Sequence, residues 1–407
     1  MFLDEFTLGI NYWPANKAMY WWQDFAYDEV DNDFARLHQF NINYIRIFLT
    51  WEDFQPQPDV ISAKNLANLY QVADLASQHK LKLMPTFFCG HMSGANWMPS
   101  WMLESSAQPS RFPIYSQNQV MVKKIKNFYK EEDLLKAQVL QIETVCSALK
   151  GHPALYAYDL GNETSNCYIP ATREEGRIWL KTMTEAVRRT SQVPITYGMH
   201  AEDLEQNRHI WPQDAGEYCD FVVMHGYPFY LNWLDNPFDV WVLPFLGTIT
   251  AWLANKPVLF QELGAPSIPT IAPYISAQEK AALKCPLWSE EEVKAYYQKA
   301  IQGLAAAGMI GAWSWCYADY SPQLWDKTPL KENRHERYFG LFRHDGTPKP
   351  AAYLFKDIKP ALNYPDQSKI KWLDAFERDN FYLDPLNNLP AMYKAYQNYL
   401  KDKEILN

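Results

Sequence analysis

Cysteine is sparse in this 407-residue chain: Cys89, Cys146, Cys167, Cys219, Cys285 and Cys316 are scattered, with no CxxC spacing. Zinc sites and a dense disulfide framework are therefore not expected. Positive charge is also short, with 38 Lys and Arg against 47 Asp and Glu and a net charge of -9. That balance argues against a nucleic-acid partner, which normally needs a basic face. No apolar run approaches membrane-spanning length, so no membrane partner is expected. The opening Met1-Phe2-Leu3-Asp4-Glu5-Phe6 lacks the basic segment and apolar stretch of a secretory leader. The simplest expected location is the cytoplasm, and a secreted mature form with its leader removed would read the same. No HxH pair or His/Asp cluster marks a strand end, so neither a metal nor an organic cofactor is expected. Internal repeats and low-complexity linkers are missing too, and nothing in the sequence sets the oligomeric state.

Aromatic residues, by contrast, are abundant: 15% of the chain, with 16 Trp and 26 Tyr. Most belong in a core, but Trp97 and Trp101, among Pro and Ser in a loop, are better placed to stack on a ligand. Eight short apolar runs read as strands: Leu8–Tyr12, Asn43–Phe48, Lys82–Phe87, Leu155–Leu160, Ile195–Tyr197, Phe221–Met224, Pro257–Phe260 and Gly311–Ser314. Helical patterns separate most of them, clearest at Lys64–His79, Glu132–Leu149, Arg173–Thr190 and Glu290–Ala307, with Ser289 and Glu292 forming a capping box at the start of the last. Strands alternating with helices imply an α/β fold with a parallel sheet, and eight of them predict a closed (β/α)8 TIM barrel. The predicted division is a catalytic barrel over residues 1–358 and a C-terminal extension over 359–407 that packs on it. Long connections at Gly90–Gln119, Gly226–Pro244 and Cys316–Pro348 would all rise from the C-terminal face of the barrel, as lids or binding walls.

Two apolar runs end abruptly in a carboxylate: Tyr156-Ala157-Tyr158-Asp159-Leu160-Gly161-Asn162-Glu163 and Lys256-Pro257-Val258-Leu259-Phe260-Gln261-Glu262. A buried parallel strand surfaces at its carboxyl end, the rim where barrel enzymes keep their catalytic groups. Two glutamates on two such strands suit the acid/base and nucleophile of a glycosidase. Around them fall Arg46 ending the second strand, His91 after the third, Asn162 beside Glu163, His225-Gly226-Tyr227 after the sixth, and Trp315 beyond the eighth. Taken singly, each has a bland reading as a packed or hydrogen-bonded loop residue. Taken in order, they resemble clan A of the glycoside hydrolases, most closely family 5, over roughly Leu8 to Tyr353.

The resemblance implies Glu163 as acid/base, Glu262 as nucleophile, Asn162 on the sugar 2-hydroxyl, and Trp315 as the aromatic floor of the sugar site. Trp313, two residues earlier on the same strand face, reads as core. Arg46 is expected to orient Glu262 and favour its charged form, and Tyr227 to orient the same carboxylate. Glu163 is expected to have its pKa raised by burial and by its neighbouring carboxylate. Trp13, in Gly9-Ile10-Asn11-Tyr12-Trp13-Pro14, and Trp97 are expected to bind substrate, and Trp101, Trp211, Trp233 and Trp241 to help close one end of the cleft. The opening segment is similar to those of mannan-active members of the family, and also to those of clan relatives acting on β-galactosides. The implied activity is retaining hydrolysis of β-mannosidic linkages in an oligosaccharide or polysaccharide, by a β-mannosidase or an endo-β-1,4-mannanase. A β-glucan or β-galactoside hydrolase of the same clan is the alternative within the class, and a catalytically silent carbohydrate-binding barrel the alternative outside it.

Overall fold

The structure is a computed structural model that describes residues 5–361 and 370–404; residues 1–4, 362–369 and 405–407, at the start of the predicted barrel and within its extension, lie outside them. Eight strands pair in parallel: β1 (Thr7–Asn11), β2 (Tyr44–Thr50), β3 (Lys82–Cys89), β4 (Tyr158–Asn162), β5 (Ile195–Gly198), β6 (Val222–His225), β7 (Val258–Leu263) and β8 (Gly311–Ser314). Each forms a ladder with its neighbour in the chain, except across β5 and β6, and β1 pairs with β8. Between β5 and β6 the ladder narrows to a bridge from His200 to His225, flanked by the Met199 carbonyl accepting from the His225 amide at 2.9 Å. The expected TIM barrel is therefore present, and its weakest seam involves the strand with the shortest sequence signal.

Helices follow the strands in turn: α1 (Tyr27–Gln39), α2 (Ala63–Gln78), α3 (Glu132–Ala148), α4 (Arg173–Arg188), α5 (Pro212–Tyr218), α6 (Val242–Ala254), α7 (Glu290–Ala306) and α8 (Pro350–Asp357). Their starts are chemically marked. Ser62, Thr172 and Ser289 accept the backbone N–H three residues on, and Glu292 reaches back to the Ser289 N–H at 2.7 Å, completing the expected capping box. Helix α6 is different, because nearly every residue of VLPFLGTITAWLA is buried. A helix that is apolar all round must be covered on all sides. The barrel covers one side, and the extension, ending in α9 (Pro385–Asp402), covers another: Trp372, Tyr393 and Tyr396 pack on Phe245.

The barrel interior has two tiers. Strand residues point alternately in and out, so positions two apart share the lumen. At the lower tier Met84, Ala157, Phe221, Val223, Leu259 and Trp313 form an apolar cluster of their own. Two residues further along four of the strands, and always towards the carboxyl end, the lining turns polar: Thr86, Asp159, His225 and Gln261. Arg46 joins this upper tier from β2 and Asn11 from β1. The polar tier carries the site.

Candidate active site

Two bulges decide which side chains reach the cleft. Along β6 and β7, Met224 aligns with Phe260 but His225 aligns with Glu262, so Gln261 is an extra residue on β7. Simple alternation would send Gln261 and Glu262 to opposite faces. The bulge instead lets both meet His225, a usual way of re-aiming a side chain at an active site. The ladder between β4 and β5 slips in the same way between Asp159 and Asn162. Beyond it Glu163 takes a left-handed backbone, φ 47° and ψ 45°, uncommon for a residue with a side chain. That turn ends β4 and starts a short 3-10 helix, from which Asn166 donates to Glu163 Oε2 at 3.1 Å.

Arg46 organises the floor. Its Nε donates to Thr86 Oγ1 (2.8 Å) and Asp159 Oδ2 (3.0 Å), and Nη2 to Asp159 Oδ2 (2.7 Å) and Asn162 Oδ1 (2.8 Å). Its Nη1 donates to Asn11 Oδ1 (3.1 Å) and Glu262 Oε1 (2.5 Å). The guanidinium is fully buried, which is tolerable only with its donors engaged and carboxylates beside it. Phe48 lies under it at 4.5 Å, and Trp13 is stacked flat against Phe48. Glu262 takes its second donor from Tyr227, whose hydroxyl reaches Oε2 at 2.8 Å. Burial, then the charge of Glu262, pushes the Tyr227 phenol up, so it stays a donor. Both oxygens of Glu262 are thereby held.

Glu163 faces three imidazoles. His225 Nδ1 lies 2.9 Å from Oε1; His200 Nδ1 and His91 Nε2 stand 3.8 and 4.0 Å from Oε2. The tautomers follow from their other partners. Gln261 must direct its amide N–H at the Asp159 carboxylate, 3.2 Å away, so its carbonyl oxygen faces His225 Nε2 at 2.8 Å and that nitrogen is N–H. A second proton on His225 therefore sits on Nδ1, in the bond to Glu163. His91 Nδ1 faces Asn96 Oδ1 at 2.8 Å, and the Asn96 amide N–H donates to the Asn166 carbonyl, so His91 carries its proton on Nδ1. Burial holds the His91 imidazole below its ordinary value, and its Nε2 turns to the cleft as an acceptor.

The expected rise of the Glu163 pKa is not what this environment produces. Burial does push the carboxyl up, but His200 and then His225 outweigh it and hold the group well below the usual carboxylate range. Burial pushes His225 down, yet Glu262 and Glu163 more than offset it and leave the imidazole raised. The two shifts describe one shared proton, resting on His225 Nδ1 in the open site and one hydrogen bond from Glu163.

A cleft of about 390 Å³ opens over these groups, lined by His91, Asn162, Glu163, His225, Tyr227, Glu262 and Trp315. One oxygen of Glu163, one of Glu262 and His225 Nδ1 all lie within 4.8 Å of one another. Eight of the ten residues singled out in the sequence thus share one site. Trp13 and Trp97 do not: Trp13 is fully buried, and Trp97 packs among Tyr20 and Tyr115 away from the cleft. Nor do Trp101, Trp211, Trp233 or Trp241 line it. Trp211 stacks on Tyr382, and Trp233 packs on Tyr393 of the extension. Hydrogen-bonded loops wall the cleft instead. Tyr230 meets His335 Nε2 at 2.6 Å, Asn333 donates to the Ser93 carbonyl at 2.9 Å, and Lys284 donates to Asn333 Oδ1 at 2.6 Å. Lys284 comes from a fourth long connection, residues 264–289 after β7, that the sequence reading passed over. A more open groove of about 580 Å³ beside Tyr20, Tyr115 and Lys327 has neither Glu nor His in its lining.

Sequence reasoning missed His200, Gln261, Asp159 and Glu336. His200 follows Ile195-Thr196-Tyr197-Gly198-Met199, so the rule that picks a polar residue ending an apolar run finds it too. Asp159 and Gln261 stand inside the two runs that carry the glutamates. Glu336 has no local signal.

No family model and no curated protein matches this chain. Solved structures do. It is similar to the exo-beta-1,4-mannosidase Op5Man5 from Opitutaceae bacterium strain TAV5, with 26% identity and a TM-score of 0.68 over 86% of this chain and 58% of that one. It thus spans less than two thirds of that protein's length. A GH5_18 variant from Streptomyces cattleya in complex with Manb1-4GlcNAc superposes with a TM-score of 0.70 at 20% identity, covering 87% of this chain and 80% of its own. A GH5_18 from Bifidobacterium longum subsp. infantis gives 0.70 at 20%, covering 88% and 80%. In fold, this chain is similar to the family 5 glycoside hydrolases of clan A.

Proposed function

We propose that this chain is a retaining β-glycoside hydrolase that removes β-linked mannose from the non-reducing end of mannan-type oligosaccharides. The observation that carries the chemistry is the approach of Glu163 and Glu262, oxygen to oxygen within 4.8 Å. Retention uses carboxyl groups about 5–5.5 Å apart, whereas inversion needs roughly 6.5–9.5 Å to seat a water between sugar and base. Glu262, held by Arg46 and Tyr227, attacks the anomeric carbon. The glycosidic C–O bond breaks, and its oxygen takes the proton that Glu163 draws from His225 Nδ1. Glu163 then removes a proton from water as the water oxygen bonds the anomeric carbon and releases Glu262. Asn162 keeps one amide N–H for the sugar, since its other commitments are the Arg46 donor and the His91 carbonyl at 2.7 Å.

The sugar is neutral on this reading. Glu163, Glu202, Glu205, Glu262 and Glu336 line the cleft against the cations Arg111 and Lys284, and Arg111 is already paired with Glu202. The hydrogen-bonded loop wall favours release of single sugars, and the likeness to an exo-beta-1,4-mannosidase favours mannose. A panel of nitrophenyl β-glycosides, followed by defined manno-oligosaccharides, tests both points. Expected are fastest cleavage of the β-mannoside, mannose as the sole early product, and a β-anomer as first product by NMR. Faster cleavage of β-glucoside or β-galactoside would move the substrate within the clan. Sugar binding without hydrolysis of any activated glycoside would leave the silent barrel.

A further inference from the structure

The loop wall contains one ionisable group that this mechanism leaves idle. Glu336, on the connection after β8, is 8% exposed and lines the cleft. Its Oε2 accepts from Ser93 Oγ at 3.0 Å and from Trp315 Nε1 at 3.3 Å. Its Oε1 has only the Tyr230 hydroxyl at 3.5 Å, and that hydroxyl is better engaged with His335 Nε2 at 2.6 Å. His335 Nε2 also lies 3.6 Å from Oε1, but burial and then the charge of Lys284 push this imidazole down to about 4, so it is neutral at pH 7. Among the described residues, no Lys or Arg nitrogen comes within 4.0 Å of the carboxyl.

A buried carboxylate with no cation and a half-satisfied oxygen is costly, and such groups are normally paired or hydrogen-bonded. Burial first, with the charges of Glu262 and Glu163 adding to it, pushes Glu336 up to about 7. Among the described residues, only the long contact from Tyr230 donates to Oε1. A sugar supplies the missing donors: hydroxyls of a pyranose are paired donors at the spacing one carboxylate accepts. The location fits, because the indole that would floor the sugar is the one that donates to Glu336. The loops that would block a longer chain also meet there, through Ser93 and Tyr230.

We propose that Glu336 is the specificity-determining residue of the terminal-sugar site, its carboxylate accepting hydrogen bonds from two adjacent hydroxyls at the non-reducing end. This rests on the glycosidase reading and narrows its substrate class to neutral sugars whose distal diol is free. A residue substituted there, including one inside a polymer, would be rejected.

The test pairs Glu336→Gln and Glu336→Ala with a set of nitrophenyl β-mannosides lacking one hydroxyl at a time, using the full chain. Expected is a 10- to 100-fold loss in kcat/KM for the parent substrate, mostly in KM. The wild type should lose a similar factor on the deoxy substrates whose hydroxyl Glu336 binds, and on those the variants should lose little more. A merely structural Glu336, propping Trp315, would give the same loss on every substrate, and that result overturns the proposal. Turnover of no glycoside by the wild type would sink the glycosidase reading instead. In that event, calorimetric binding of methyl β-mannoside and its deoxy derivatives to wild type and variants decides Glu336 by the same pattern.

Discussion

His225 divides its work between two nitrogens. Nε2 is tied to Gln261, and Nδ1 shares a proton with Glu163. Replacing His225 by Gln leaves a lone carboxyl to hold that proton, so the basic limb of the kcat/KM profile should move to lower pH; an unmoved limb would exclude the shared proton. Glu163→Ala should cost about 10²–10⁴-fold on substrates whose leaving group needs a proton, and far less on dinitrophenyl glycosides that leave unaided. Glu262→Ala should abolish turnover of both, which separates nucleophile from acid in one steady-state experiment. Glu336 adds a stability signature. Its value rises from the ordinary 4.5 to about 7 in the folded protein. Below 4.5 both states hold the proton and nothing is gained or lost. Between the two values the folded state keeps a proton that the unfolded chain releases, so stability falls as pH rises. Urea unfolding should find Glu336→Gln gaining about 2 kcal/mol on wild type between pH 5 and pH 8.

Among elements, the bulged strands and the extension set the site's shape. A Cβ on Gly198 would sit 2.1 Å from the Gly161 carbonyl oxygen, where β4 carries its bulge. Gly198→Ala must push β4 from β5, so it should lower the melting temperature and displace Glu163, with activity lost even where the fold survives. The extension reaches the same region from outside. Tyr382 donates to the Asp203 carbonyl at 2.8 Å and stacks on Trp211, bracketing the segment that bears Arg208, whose Nη1 lies 3.3 Å from His200 Nε2. Burying an aromatic of this kind contributes about 1.5–3 kcal/mol. Tyr382→Ala should therefore destabilise the protein and raise KM with kcat less affected. A KM unchanged in a destabilised variant would show that the extension only covers α6.

The eight strands and the four clearest helices were legible in the sequence because each is a short-range pattern. An apolar run of strand length, or an apolar stripe at 3.6-residue spacing, persists whatever packs against it. Of the site, residues that end strands were legible for the same reason: Asn162, Glu163, His225 and Glu262 stop apolar runs at the carboxyl rim, whereas Arg46, expected at the end of its strand, is the third residue of β2 with Ile47 and Phe48 beyond it. The aromatics misled. Trp13 and Trp97 sit among loop-forming residues and were expected at the ligand, yet both are buried, because the connections they belong to fold inward and join the main core.

For the molecule as a whole, sequence alone determined the barrel, the rim on which its chemistry stands, and the two glutamates, since each follows from periodicity and from where an apolar run stops. Only the tertiary structure decided that Gln261 and Glu262 both reach His225, that Glu163 faces three imidazoles, and that loops, not most of the expected tryptophans, wall the cleft. Those outcomes depend on register slips, and on charges brought together across as many as 216 residues of chain. A carboxylate's neighbours, unlike its strand, are not written beside it.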